Sequence, residues 1–555
     1  MSAPAALIAC LQLAAWTAAA DAPPATAPLQ LKPGDRVVFL GDSITEQRMY
    51  TNYVETCLVL RYPAMNLSFV NAGWGGDTAK GGAGRLERDV LGVHPTVVTI
   101  CYGMNDGGYG WSSPKGAAAG YGTPLRDIVD RLAAKGVRVV LMTPGIVDDR
   151  VPGLKWLRAQ TDYNRRELRA LADETLAVAK ERDLSVVDIH ALMTLTLSAS
   201  GRQGVGMGPD GIHPDEGGSL IMAYGLLQAL GVPPRRETIE RDLAVTGTVF
   251  DLTVDPLPYP VEEPARKILP FLPFNEDFNR VRLVIRGLAA PAAVLSFDGR
   301  MTPVLDRAAL EAGLRLEEMW AIGALEEAGR AATVTREKAT LYRQLWRALA
   351  LSDNWWTEAP YDPEPHRIAL QAVEGLEVWR RKAVVPKPMR VEVRPVDDAP
   401  VALTEGGAIT RWRAAGGFAA AAPTRTLSGA ALARASDPRH PVPDWPRIAL
   451  DGVPADRLFS AYSHQLPGPF SVVAVVESDR AQKATIRLEG KGPVAAYLNG
   501  RKVREFTADQ EELTIPLALK AGENRLLLDF ARRKHGVRGF VARLAALPAA
   551  TRNRW

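Results

Sequence analysis

A chain of 555 residues is too long for one ordinary core, and its length suggests roughly three or four domains. Apolar content of 47% with 23% charged residues is that of a soluble globular protein. The formal net charge is +4, with Lys and Arg scattered rather than in dense runs, which excludes a general pull toward nucleic acid or anionic membrane.

The first twenty residues read as a secretory signal. An apolar Ala/Leu-rich stretch from Ala5 to Ala15 precedes Thr17-Ala18-Ala19-Ala20, a small-residue cleavage pattern before Asp21. The stretch is too short for a good membrane span, although no Lys or Arg stands before it. Leu7-Ile8-Ala9-Cys10 resembles a bacterial lipoprotein box, but most of the apolar core follows Cys10, so cleavage near Ala20 is the simpler expectation. Cys57 and Cys101 then remain, which excludes a thiol-rich metal site and favours two buried free thiols over a bridge.

From Arg36 to about Val232, short β-rich runs alternate with longer helical stretches. The runs are Arg36 to Leu40, Leu67 to Asn71, Thr96 to Cys101, Val137 to Thr143 and Ser185 to Ile189. Helical segments between them include Leu125 to Lys135 and Thr161 to Glu181. This pattern predicts one parallel sheet covered on both faces, over residues 30–232. Residues 233–300 are Pro-rich and end in two runs, Val281–Ile285 and Val294–Phe297, expected as a hairpin or small sheet before Asp298-Gly299. Residues 301–385 read as helical, with amphipathic candidates around Leu314–Trp346 and His366–Arg381, expected to pack on the α/β core. Pro386-Lys387-Pro388 marks a boundary. Over 386–547 the runs Phe470–Glu477, Lys483–Leu488, Val494–Leu498, Leu513–Leu517 and Arg525–Phe530, with turns such as Asn499-Gly500, predict a β-sandwich.

Four segments carry the chemistry. Gly41-Asp42-Ser43 leaves the first strand, where open α/β sheets bind ligands. Asp210-Gly211-Ile212-His213 offers from one loop a base and the group that orients it. Asn71 to Thr78 follows the second strand and Gly103-Met104-Asn105-Asp106 the third. A glycine there presents its N–H without a Cβ in the way, and an asparagine donates its amide. Acyl transfer needs these parts: nucleophile Ser43, base His213, orienter Asp210, and donors aimed at an oxyanion. A metal site from Asp188, His190 and His213 fits by residue type, but His213 is better used by the triad.

In order and spacing these segments resemble the SGNH (GDSL-type) hydrolase superfamily, with Ser43, Gly76, Asn105, and Asp210 with His213 at its motif positions. The resemblance implies a flavodoxin-like three-layer α/β/α sandwich with a five-stranded parallel sheet and no cofactor. It also implies an oxyanion hole from the N–H groups of Ser43 and Gly76 and the side chain of Asn105. Gly73 and Gly75 compete with Gly76 for that role. The C-terminal part, through segments such as Ala495–Arg501 and Leu519–Leu526, resembles galactose-binding-like jelly rolls. Asp42, Trp74, Tyr102 and Trp111, with Tyr109, are candidates for substrate contact, loop packing being the other reading of the aromatics, while Trp355-Trp356 reads as packing. The expectation is a secreted or periplasmic ester hydrolase that removes an acyl group, most simply acetate, from a carbohydrate. A short-chain carboxylesterase or lipase-type acylhydrolase, or a glycan-binding protein with a vestigial hydrolase domain, are the rivals.

Overall fold

In the computed structural model the described residues are 27–554 except 111–112, 149–153, 155–159, 202–204, 320–322, 351–363, 398–400, 404–410, 417–428, 441–444, 446, 450–469, 492–493, 507–511, 531–537 and 547–550. The expected leader through Ala20, together with Cys10, Trp111, Trp355 and Trp356, lies outside them. The chain divides into two compact units. The first comprises Met1–Arg236, Asp255–Arg280 and Glu327–Pro386, and the second Glu237–Val254, Val281–Glu326 and Lys387–Trp555.

The first unit is built on five parallel strands, β1 (Arg36–Gly41), β2 (Ser68–Gly73), β3 (Val97–Cys101), β4 (Arg138–Met142) and β5 (Ser185–Val187), in the order β2-β1-β3-β4-β5. The strands are nearly continuous in Val, Ile and Leu because both faces are covered. Val38, Leu40, Val98, Ile100, Val139 and Leu141 point to a layer holding Leu125, Ile128, Val129, Leu171 and Val178. Those side chains come from α3 (Pro114–Ala134) and α4 (Arg169–Glu181). On the opposite face Phe39 meets Tyr50 of α2 (Met49–Arg61), which packs along α5 (Glu216–Ala229). This is the expected three-layer α/β/α sandwich. Between β1 and α2 lies the single turn α1 (Ser43–Glu46).

Two helices from beyond residue 300 belong to this same unit: most of α6 (Gly323–Ala350) and all of α7 (Glu364–Ala383). Tyr342, Trp346, Ala369 and Val373 extend the apolar core. A buried ion cluster fixes them further: Glu55 of α2 accepts from Lys338 and Arg380, and Glu377 accepts from both as well. The helical signal around Leu314 starts too early. Leu314–Arg315 is a short strand, and α6 begins at Gly323.

In the second unit the sheets are built from antiparallel pairings, such as Met389–Val396 with Ala292–Phe297 and Phe470–Ser478 with Gly522–Phe530. The runs expected as a hairpin or small sheet fall in two different sheets: Arg280–Arg286 pairs with Leu314–Arg315, while Ala292–Phe297 pairs with Met389–Val396 and turns at Asp298-Gly299 into Arg300–Met301. Sequence proximity suggested the hairpin; longer-range partners won. Farther on, an eight-stranded and a three-stranded sheet share one apolar core, in which Val472, Val476, Leu526 and Leu528 face Ile486, Leu488, Ile515 and Leu517. Among the described residues no helix is long and apolar enough to cross a membrane.

Candidate active site

The turn into α1 is tight for an identifiable reason. A Cβ on Gly41 would stand 2.2 Å from Thr45 Oγ1 and 2.5 Å from the Cys101 carbonyl oxygen, so only glycine lets α1 fold back over the sheet edge. Asp42 then caps the turn, its Oδ1 accepting the Ile44 N–H over 2.9 Å. Ser43 follows as the first helical residue, whose amide has no partner within so short a helix.

Its hydroxyl meets the downstream loop. His213 Nε2 lies 2.9 Å from Ser43 Oγ, and His213 Nδ1 lies 2.6 Å from Asp210 Oδ2. Asp210 Oδ1 also accepts the N–H groups of Ile212 and His213 at 2.9 and 3.0 Å. Partial burial raises the Asp210 carboxyl, but the His213 ring and these two amides outweigh it and hold the group below the usual carboxylate range. An ionised carboxylate can only accept, so Nδ1 carries the hydrogen and Nε2 is left to accept from Ser43. The loop is fixed by its backbone: Gly208 N–H donates to His213 O over 2.7 Å, and Asp148 N–H donates to Gly211 O over 2.7 Å.

The second and third loops converge beside this row. Gly76 has φ +76°, and a Cβ there would meet nothing within 4 Å. Of its neighbours, Gly73 donates its N–H to Asn71 Oδ1, and Gly75 lies against Glu46. Asn105 Nδ2 donates to the Asp77 carbonyl over 2.8 Å, and Tyr109 Oη donates to Asn105 Oδ1 over 2.8 Å. The amide orientation is thereby set, and the second hydrogen on Nδ2 is not taken up by Asp77. Asp106 ties the loops together, accepting from Ala79 N–H and Gly103 N–H at 3.0 and 3.1 Å. Burial pushes its carboxyl up to about 6 despite those donors. Asp42 is pushed up to about 7 by burial, against the Ile44 N–H, with Asp106 and Asp77 adding to the rise.

Beneath the loops lies Arg85, which the sequence reading did not single out. Its guanidinium donates to Asp77 Oδ2, the Ala72 and Gly41 carbonyls, Asp89 Oδ2 and Tyr102 Oη, at 2.8 to 3.2 Å. One planar fork thus joins the ends of β1 and β2 to the residue that follows β3. The only sequence signal was the Gly-rich stretch Gly81–Gly84, which lets this turn approach: a Cβ on Gly82 would stand 2.5 Å from Tyr102 Oη.

Three expected substrate contacts are corrected. Asp42 is 2% exposed and spends its carboxylate on the α1 cap; Tyr102 is 1% exposed, bonded to Arg85 and Asp77. Trp74 is 6% exposed, with Trp346 edge-on at 6.0 Å. All three support the site from inside instead of lining it. Tyr109 is half-buried and holds Asn105. Asp188 and His190 are engaged elsewhere: Asp188 caps the Ala191 N–H and pairs with Arg169, and the His190 ring meets the Asn164 carbonyl. Cys57 and Cys101 are both free and buried.

The model of the GDSL-like lipase/acylhydrolase family matches residues 39–220, so the chain carries a domain of that kind and is a carboxylic ester hydrolase. It is similar to an acetylxylan esterase of Geobacillus stearothermophilus, 25% identical over 223 residues, spanning 37% of this chain and 97% of that protein. Among solved structures, a gut microbial diltiazem-metabolizing enzyme shares 20% identity and a TM-score of 0.58, covering 66% of this chain and 99% of that one. This is a likeness of fold. The crystal structure of the Geobacillus stearothermophilus acetylxylan esterase, 25% identical, covers 37% of this chain and 97% of its own with a TM-score of 0.30.

Proposed function

We propose that this protein is a secreted serine esterase that removes acyl groups, most simply acetate, from a polysaccharide or oligosaccharide, with Ser43, His213 and Asp210 as its triad. The observation that carries the reading is the unbroken row from Asp210 through His213 to Ser43, at 2.6 and 2.9 Å. In this reading His213 Nε2 takes the hydroxyl hydrogen as Ser43 Oγ attacks the ester carbonyl, and Asp210 stabilises the imidazolium. The carbonyl oxygen, now negative, is met by the N–H groups of Ser43 and Gly76 and the free hydrogen of Asn105 Nδ2. His213 returns its proton to the departing alcohol. Water repeats the cycle on the acyl-enzyme, releasing the acid and restoring Ser43.

Support for the carbohydrate comes from the acetylxylan esterase relative and from the Ala-rich leader. The C-terminal antiparallel sheets are compatible with a galactose-binding-like jelly roll, a module that either binds carbohydrate or buttresses the catalytic domain. Acetate release across a panel of acetylated polysaccharides, wild type against Ser43→Ala, tests the whole reading. Strong release by wild type alone is expected. Activity confined to p-nitrophenyl esters of longer acyl chains would instead favour the lipase-type acylhydrolase. No Ser43-dependent hydrolysis of any ester would sink both.

A further inference from the structure

The residues matched by the family model end at 220, yet a side chain from α6 reaches the loops around Ser43. Arg347 Nη2 donates to Glu46 Oε1 over 2.6 Å, and its guanidinium carbon lies 3.5 Å from the centre of the Trp74 ring. Glu46 is the last residue of α1, three positions after Ser43. Trp74 opens the Trp74-Gly75-Gly76 loop. One planar cation therefore holds the nucleophile turn by a charge-assisted hydrogen bond and the candidate oxyanion loop by its face.

The two held parts also touch each other. Glu46 Oε2 occupies the place a Gly75 Cβ would need, at 2.7 Å, and the Glu46 amide nitrogen lies 2.3 Å from a Cβ position on Gly73. Glu46 thus forms the floor of the loop, and its carboxylate orientation decides where Gly75 and Gly76 sit. Arg343 donates to the same Oε1, with Nε at 3.0 Å, and Arg48 donates to the Glu46 carbonyl over 2.7 Å. The carboxylate is 14% exposed and the Arg347 side chain 24%, so the contact is substantially shielded from water.

We infer that Arg347, with Arg343 behind it, is a positioning residue: it sets the separation between the Ser43 hydroxyl and the Gly76 N–H through Glu46 and Trp74. The helical appendage is then part of the catalytic apparatus, and its contribution is geometric. The inference rests on the esterase reading above. Donors that must lie about 2.7–3.1 Å from the oxyanion tolerate little drift, and a displacement of about 1 Å costs on the order of a hundredfold in rate.

The test uses the full chain with p-nitrophenyl acetate and an active-site phosphonate that counts functional Ser43, so that rates are quoted per titrated site. Arg347→Ala is expected to lower kcat by about tenfold to a hundredfold with KM within about twofold. Affinity for a boronic acid, which becomes tetrahedral on Ser43, should fall in parallel. Arg347→Lys keeps the charge but not the planar face, and should lose about threefold to tenfold. It carries the test if Arg347→Ala yields no titratable sites. Unchanged kcat per site, or a fall in kcat without loss of boronic acid affinity, would overturn the inference. Ser43→Ala is measured alongside: full activity there removes the esterase reading itself, whereas an inactive Ser43→Ala beside a normal Arg347→Lys and Arg347→Ala removes this inference alone.

Discussion

Tyr109 donates its hydroxyl hydrogen to Asn105 Oδ1 over 2.8 Å, from a backbone held at φ +49°. A non-glycine residue in that region costs roughly 1 kcal/mol or more, and Tyr163 helps to maintain it. The Tyr163 ring stacks on Tyr109 at 5.7 Å, and its hydroxyl accepts the Tyr109 N–H and donates to the Met104 carbonyl. If Asn105 supplies an oxyanion donor, Tyr109 keeps that donor from rotating. Asn105→Ala is expected to lower kcat by about a hundredfold to a thousandfold. Tyr109→Phe should lower it by about tenfold, since Asp77 still holds the amide nitrogen. Steady-state kinetics on an acetyl ester checks both, and a Tyr109→Phe effect confined to KM would assign the residue to substrate contact instead.

The two residues of the proposed triad from the downstream loop are unequally shielded. Asp210 is 48% exposed at its side chain and His213 28%. Water can replace part of what the carboxylate does, but it cannot replace the imidazole. His213→Ala should therefore lose several orders of magnitude in turnover, and Asp210→Asn distinctly less. Equal losses would mean that Asp210 acts by fixing the tautomer alone, independent of solvation. Single-turnover acylation rates separate the two cases.

Much of this site was legible because its parts are backbone-determined. A glycine before Asp42-Ser43, an Asx cap, and glycine loops after strands leave local marks that survive without an alignment. The five strands were equally legible, since burial on both faces demands apolar runs that few other structures need. What stayed hidden depends on distance along the chain. Arg85 looked like any arginine after a small-residue turn, and Arg347 like an exposed position on an amphipathic helix, because their partners lie at Gly41 and Glu46. Trp74 and Tyr102 misled for the opposite reason. Aromatic type and loop position suggested a sugar platform, but burial under Trp346 and beside Arg85 decides their role. The separated pair at Val281–Ile285 and Val294–Phe297 shows the same limit for strands: alternation reveals a strand, not its partner.

Arg85 is surrounded by acceptors that depend on it. Its side chain is 9% exposed, Asp77 is likewise 9% and Asp89 fully buried. Removing the cation leaves two buried carboxylates with reduced compensation and takes a donor from the Ala72 carbonyl, the Tyr102 hydroxyl and the Gly41 carbonyl, the last of which keeps the Trp74 N–H. Arg85→Met is expected to destabilise the protein by about 3–5 kcal/mol in urea unfolding. Arg85→Lys should recover little, since one ammonium cannot reach Gly41, Ala72 and Tyr102 together. A loss under about 1 kcal/mol in Arg85→Met would show that the loops hold their own geometry.

The buried carboxyl beside Ser43 gives stability a distinctive pH dependence. Asp42 in the folded protein titrates at about 7, raised by burial, whereas an aspartate in the unfolded chain titrates near about 4. Between these values the folded state holds a proton that the unfolded state has released, so this group's contribution falls as pH rises, by up to about 1.4 kcal/mol per unit. It is fully present below about 4 and lost above about 7. Asp106, raised to about 6, acts in the same direction. Asparagine at position 42 can still accept the Ile44 N–H through its side-chain oxygen but cannot ionise. The stability of Asp42→Asn relative to wild type should therefore increase steadily from pH 4.5 to pH 8, by about a few kcal/mol in total. Urea midpoints at four pH values in that range measure the difference directly, and because every other titrating group is common to both proteins, its sign isolates position 42. A difference that stays flat across this range would mean that Asp42 is already ionised in the folded protein at pH 4.5.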